Sequence, residues 1–272
     1  KPFFLYLPFV EPHVAIQSPL EWIDRYPKEW DEEKGVYRGQ NGYLPHSRPR
    51  AAYASMISDL DEHVGTVLKK IDDLGLTENT LVIFTSDNGT THGGSDPKFH
   101  IGGADAEFFN STLDLRGWKG SVYEGGIRVP CIVKWPGKVK AGTISEMPTY
   151  FPDWFPTLCA ASGASLPAGE ELDGVNLLEA VQGGTEPKRE ELMIWDFRGY
   201  GGQVAIRDGK WKAVRRNLQR KNPSDWELYD LEGNRSESTD LAAQHPDIVK
   251  RLEEAFVKTR TVEPDFPNPV YD

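Results

Sequence analysis

Two adjacent patterns constrain this chain more than any other feature. From Arg50 to Leu74, Tyr53, Met56, Ile57, Leu60, Val64, Val67, Leu68 and Ile71 recur every three or four residues. That spacing lays one apolar stripe along a helix, and Gly75 supplies the left-handed residue that ends it. A few residues on, Leu81-Val82-Ile83-Phe84-Thr85 is apolar or β-branched throughout, with no polar alternation. Such a run reads as a strand covered on both faces, and Ser86-Asp87-Asn88-Gly89 breaks it. A long amphipathic helix feeding a doubly covered strand predicts an α/β fold with a parallel sheet.

The rest of the chain extends this frame. Phe3 to Phe9 reads as a buried strand that starts without an initiator Met or a preceding element, so the chain is expected to be the later part of something longer. The Pro- and Trp-rich stretch from Pro12 to Pro49 reads as a long structured loop, and long loops in compact domains are usually functional. A polar, Gly-rich segment over 90–118 precedes a strand-like run from Ile127 to Trp135, closed by Pro136-Gly137. Helices are expected over Pro152–Ala161, stopped by Gly163, and over Leu172–Gly183. Beyond a Pro/Gly/Glu stretch at 183–191, Val204–Arg207 and Lys210–Val214 flank Asp208-Gly209, a strong hairpin signal. Glu227–Leu231 offers a third strand before a Pro246–Arg260 helix. The expected division is 1–185, a catalytic α/β domain, and 186–272, a small antiparallel sheet with one helix.

Charge narrows the function classes. Lys and Arg number 31 against 42 Asp and Glu, a net charge of -11. There is no basic footprint for nucleic acid or an anionic membrane. Residues 1–145 are nearer balance (16 basic, 19 acidic) than 146–272 (15 and 23), which tolerates an anionic substrate in the first part. Cys131 and Cys159 lie in apolar runs without a C-x-x-C partner and read as buried small apolar residues.

In open α/β sheets ligands gather at the carboxyl ends of strands. Three places there carry polar chemistry: His13 after the first run, Asp87-Asn88-Gly89 after Phe84, and Lys119 within Arg116–Arg128. Singly, each is ordinary: Asp-Asn-Gly is a common turn, Pro-His a loop, and a Lys between glycines a solvated side chain. Jointly, a carboxylate and an amide oxygen suit a hard cation, a lysine suits an oxyanion, and a histidine suits proton transfer. The combination points to hydrolysis of a sulfate or phosphate ester.

These residues sit in ordered motifs. They are P-F-F-L-Y-L-P-F-V-E-P-H ending at His13, Y-A-S-M-I-S-D-L-D-E-H-V-G from Tyr53, T-L-V-I-F-T-S-D-N-G from Thr80 and L-R-G-W-K-G-S-V-Y-E-G-G-I-R-V-P from Leu115, followed by W-P-G, D-G-K-W-K and E-L-Y-D-L. Through them the chain resembles the type I, formylglycine-dependent sulfatases of the alkaline phosphatase superfamily, close to the arylsulfatase and N-acetylgalactosamine-6-sulfatase branch. The resemblance implies an alkaline-phosphatase-like mixed sheet flanked by helices. It implies that Asp87 and Asn88 are half of a calcium site, that Lys119 contacts sulfate oxygens and that His13 assists the leaving oxygen. Glu124 and Arg128 read as loop-fixing residues. His92, His100, Lys98 and Asp105, between the metal pair and Lys119, are candidates for contacting a sugar or aglycone, as are Trp22, Trp30 and Tyr43 in the early loop. The expected substrate is a sulfate ester, a sulfated carbohydrate ahead of a simple aryl sulfate, and the expected compartment is periplasmic or extracellular.

The departure from the family is equally specific. Its nucleophile is a formylglycine made within a C/S-x-P-x-R motif, which this sequence lacks; Ser47-Arg48-Pro49-Arg50-Ala51 misses the final arginine. The paired aspartates that complete the calcium site are missing too. The chain is therefore expected to be the C-terminal portion of a sulfatase, inactive alone and completed by its own upstream segment. Two alternatives stay open: a phosphoester or phosphonate hydrolase of the same superfamily, and a non-catalytic or split module that binds sulfated glycan.

Overall fold

The computed structural model describes residues 2–39, 42–91, 101–190 and 192–272. The chain divides into two compact units, residues 1–77 with 90–113, and residues 78–89 with 114–272.

The first unit is helical. Short helices α1 (Leu20–Ile23) and α2 (Glu29–Lys34) pack on the long α3 (Pro49–Asp73), which opens on Pro49 and is followed by Gly75 at φ +67. Ile16, Ile23, Ala51, Ala52, Met56 and Ala104 form its core. The stretch before α3 is ordered by charge as much as by apolar burial. Arg50 donates its backbone N–H to Asp31 Oδ1 (2.8 Å), Nε to Asp105 Oδ2 (2.9 Å) and Nη1 to the Trp30 carbonyl (2.9 Å). Lys34 Nζ joins the same Asp105 oxygen at 3.2 Å. The near-match to the nucleophile motif is thus explained locally, since its second arginine is a buried ion-pair centre. The predicted Phe3–Phe9 strand pairs with no described strand, and Phe3, Phe4, Tyr6 and Val10 are exposed. A strand needs a ladder partner for its backbone groups, and none is in place among the described residues.

The second unit holds both sheets. β1 (Val82–Thr85) leads through the short helix α4 (Glu124–Ile127) to β2 (Cys131–Lys134), and the two strands pair antiparallel, Thr85 opposite Cys131. The expected parallel pairing and double burial are corrected here: β1 is half-buried along its length and β2 largely exposed. Cys131 is exposed and Cys159 half-buried, so neither is the core residue expected. A 3-10 turn at Phe151–Asp153 runs into α5 (Trp154–Ser162), stopped by Gly163 at φ +73. The second predicted helix shrinks to α6 (Leu178–Val181). Its expected first turns are held otherwise, because Val175 N–H donates to Asp153 Oδ1 (2.9 Å) and Leu177 N–H to Thr157 Oγ1 (2.8 Å).

The C-terminal sheet is an antiparallel meander, β3 (Met193–Phe197), β4 (Gln203–Asp208), β5 (Trp211–Arg216) and β6 (Glu227–Asp230), followed by α7 (Pro246–Thr259). Gly209 takes φ +56 in the predicted hairpin. Alternate residues of these strands serve two cores. Val204, Ile206, Ala213 and Leu228 pack with Leu252 and Phe256 of α7. Ala205, Val214 and Tyr229 face the other way, against Val122 and Tyr123. The sheet therefore has one face for its own helix and one for the segment that carries Lys119.

Candidate functional site

Asp87 and Asn88 stand just past the end of β1, and their position depends on a close backbone approach. Gly89 N–H donates to the Gly126 carbonyl at 2.9 Å. A Cβ at Gly89 would lie 1.9 Å from the Gly125 oxygen, so only glycine fits. Asn88 Nδ2 donates to the Gly89 carbonyl (3.1 Å), and Oδ1 has no donor among the described residues. Asp87 is exposed, and among the described residues no lysine or arginine pairs with it. A carboxylate and an amide oxygen, side by side and uncommitted, fit the hard oxygen donors that calcium takes, as two of the six to eight it needs.

Gly125 and Gly126 bring the Lys119 segment to the same place. Ser121 N–H donates to the Trp118 carbonyl (3.0 Å), closing a turn around Lys119 with Gly117 at φ +79 and Gly120 at φ +86. Gly125 N–H donates to the Arg116 carbonyl at 2.7 Å, pinning both ends of the loop. Lys119 is half-buried, and its ammonium has no acceptor among the described residues.

The loop is fixed from beneath by a buried ion triad. Lys212 Nζ donates to Glu124 Oε1 (2.7 Å) and forms an ion pair with Glu237 Oε1 (2.9 Å), while Glu237 Oε2 accepts the Glu124 backbone N–H at 2.7 Å. Lys212 and Glu237 are fully buried, and Glu124 is 3% exposed. Burial alone would raise the Glu124 carboxyl, but the Lys212 charge and hydrogen bond outweigh it and hold the group below the usual range. For Glu237, burial wins and the carboxyl is pushed up. Arg128 adds a longer contact to Glu124 Oε2 at 3.5 Å. Arg116 lies 4.0 Å over the Tyr123 ring and donates to Tyr229 Oη at 2.6 Å. Glu124 and Arg128 do the loop-fixing expected of them.

The remaining candidates fall elsewhere. His13 belongs to the first unit, exposed, with Nδ1 2.6 Å from the Val14 carbonyl. That contact assigns a proton to Nδ1 and leaves Nε2 for other chemistry. His92, Lys98 and His100 lie outside the described residues. Asp105 is corrected: it is 3% exposed and committed to Arg50 and Lys34, whose charges outweigh burial and hold its carboxyl low. Trp30 packs against Tyr26, Phe108 and Phe109 as an anchor of its own unit, and Trp22 carries Arg25 at 3.6 Å over its ring. Among the described residues, the one set of three acidic, His or Cys side chains close enough to share a metal is Glu11, Asp59 and His63, which includes none of the predicted ligands. Lys212 and Glu237 went unnoticed in the sequence. The available signal was a lysine in the inward phase of an apolar strand, two residues from Val214 and opposite Tyr229.

The strand-end Asp-Asn pair is thus joined through Gly89 and Gly126 to the segment that carries the Lys119 turn. The chain belongs to the sulfatase family: the Sulfatase model matches residues 1–164, and the model described as N-sulphoglucosamine sulphohydrolase, C-terminal, matches residues 116–262. It is 32% identical to steryl-sulfatase of Mus musculus over 78% of this chain and 30% of the relative. It is also 32% identical to N-acetylgalactosamine-6-O-sulfatase of Bacteroides thetaiotaomicron, over 75% of this chain and 41% of the relative. The chain thus spans less than half the length of these relatives. Among solved structures, Ps i-CgsB in complex with k-i-k-neocarrahexaose superposes with a TM-score of 0.72 at 26% identity, covering 96% of this chain and 50% of that one. The phosphonate monoester hydrolase of Agrobacterium radiobacter gives 0.54 at 25%, over 76% and 41%. The fold is accordingly the alkaline-phosphatase-like α/β arrangement of these enzymes.

Proposed function

We propose that the protein to which these residues belong is a sulfuric ester hydrolase acting on a sulfated carbohydrate, and that residues 1–185 and 186–272 are the later part of its catalytic domain and a small C-terminal subdomain. One observation carries the reading: the Asp87 and Asn88 oxygens and Lys119, which have no ion-pair or hydrogen-bond partner among the described residues, are held in one unit by the Gly89 to Gly126 hydrogen bond. Family membership gives that pairing its chemistry.

Asp87 and Asn88 Oδ1 hold calcium, which when bound offsets negative charge on the sulfate oxygens. Lys119 places a second positive charge against the same group and orients it. His13, protonated on Nε2 while Nδ1 is satisfied by Val14, gives its proton to the alcohol oxygen as the sulfur–oxygen bond to it breaks. The nucleophile, a formylglycine in this family, comes from sequence other than these 272 residues, which hold no C/S-x-P-x-R motif. The remaining calcium ligands come from the same source. A sulfated glycan is favoured by the sugar ligand of Ps i-CgsB and the N-acetylgalactosamine-6-O-sulfatase relative. His92 and His100 are the proposed substrate contacts, and export to the periplasm or cell exterior the proposed location. Among the described residues no helix is long and apolar enough to cross a membrane.

The likeness to a phosphonate monoester hydrolase supports a second reading, in which the same superfamily site cleaves a phosphoester. Initial rates of the full-length protein on matched sulfate and phosphate esters decide between them. Sulfate preference is expected; phosphate preference transfers the site to the second reading. No turnover, with tight binding of sulfated oligosaccharide, replaces both with a binding role.

A further inference from the structure

The C-terminal sheet reaches into the Lys119 turn with side chains that no part of the proposed chemistry uses. Gln203, the first residue of β4, is 6% exposed. Its Nε2 donates to the carbonyl of Gly120, the residue after Lys119, at 2.9 Å, and its Oε1 accepts the Val122 N–H at 3.5 Å. A single amide thus spans two backbone groups of one turn. Tyr200 completes the grip: its ring lies so close to Gly120 that a Cβ there would meet Cε2 at 2.3 Å. Further along, Lys212 and Glu237 hold Glu124 through its side chain and its backbone N–H. Between these anchors, Val122 and Tyr123 pack on the inner face of the sheet.

We infer that Gln203 is a positioning residue for Lys119, and that the C-terminal sheet sets where the lysine's charge stands. This rests on the sulfuric ester hydrolase reading and deepens it. Among the described residues the Lys119 side chain has no hydrogen bond of its own, so its place is inherited from the turn. The turn has glycines at 117 and 120 and would sample many shapes without outside partners. Both partners of the Gln203 amide are backbone groups, which cannot be replaced by altering the turn's own side chains. A buried amide that leaves these groups unsatisfied when removed has a large lever on the geometry.

Two variants and a control test it. Gln203→Leu keeps the bulk and removes both hydrogen bonds. Gln203→Glu keeps the acceptor for Val122 and sets an oxygen against the Gly120 carbonyl. Leu252→Ala loosens the opposite face of the same sheet without touching the turn. In amide hydrogen exchange, residues 119–126 are expected to exchange roughly tenfold faster or more in both Gln203 variants, the factor for losing a buried hydrogen bond, and to stay at the wild-type rate in Leu252→Ala. In the full-length protein the Gln203 variants are expected to lose about tenfold to a hundredfold in kcat with a smaller change in KM, while Leu252→Ala keeps kcat at temperatures where it stays folded. Loss of activity that merely follows stability in all three variants overturns the inference. So does unchanged exchange over 119–126, or faster exchange with unchanged kcat. If the wild-type protein cleaves no sulfate ester, the functional reading fails, and the exchange rates alone decide whether Gln203 sets the turn.

Discussion

Replacing Lys212 with methionine removes the one cation between two buried carboxylates and should change the protein's response to pH as well as its stability. Nζ lies 2.7 Å from Glu124 and 2.9 Å from Glu237, and the three side chains are between 0% and 4% exposed. Breaking such a pair from one side costs about 3–5 kcal/mol, because the remaining charge is left buried and unpaired. In the wild type the two carboxyls work in opposite directions. Glu124, held low, contributes stability that is present above the unfolded carboxyl value of about 4.3 and is lost as pH falls through its folded value. Glu237, pushed up by burial, contributes stability that is present below that value and is lost as pH rises through its folded value. In Lys212→Met the largest influence opposing burial is gone, leaving Arg207 and Arg128 beside Glu124 and the Glu124 N–H on Glu237, so both folded values rise relative to the wild type and the variant loses stability relative to it as pH rises. The gap between wild type and variant should be small near pH 4 and approach the full 3–5 kcal/mol toward pH 8. Urea midpoints and slopes taken across pH 4–8 measure it. A gap that does not change with pH would refute the argument, since it would mean the carboxylates were never left uncompensated.

Other consequences follow from single contacts. Gly89→Ala sets a methyl 1.9 Å from the Gly125 oxygen and should cost about 1–3 kcal/mol in denaturant unfolding, the range for forced overpacking, together with the geometry of the Asp87-Asn88 turn. Phe256→Ala empties a fully buried site between α7 and the meander and should cost about 3–5 kcal/mol by the same assay. Asp105→Asn should flatten the acid limb of the stability profile: the low carboxyl contributes above the unfolded value of about 3.9, and that contribution is lost as pH falls through its folded value. Within the proposed function, Asp87→Ala in the full-length protein should weaken calcium binding at least tenfold by calorimetry, whereas Asp105→Asn should leave it unchanged.

Much of the local structure was legible because it depends on neighbours in the chain. The α3 stripe, the Gly75 and Gly163 stops, the Asp208-Gly209 hairpin and α7 follow from spacing and from residues that tolerate particular backbone shapes. The candidate ligands were legible for the same reason: Asp87, Asn88 and Lys119 sit beside breaks in apolar runs, where polar chemistry collects. What spacing cannot express is which strand a run pairs with. The antiparallel partnership of β1 with β2 depends on residues far away in sequence, and so does whether the run from Phe3 is covered.

The functional loop shows the same division. The sequence alone determined that a glycine-rich segment carries one lysine, and that glycines at 89, 125 and 126 allow close approach of backbones. Only the tertiary structure decided that those glycines meet each other, that Asn88 spends its amide nitrogen and spares its oxygen, and that Lys212, Glu237 and Gln203 of a separate sheet hold the loop in place. The contacts of Gln203, Lys212 and Glu237 with the loop join groups about 80 to more than 110 residues apart, where only the packing of the sheet brings donor to acceptor.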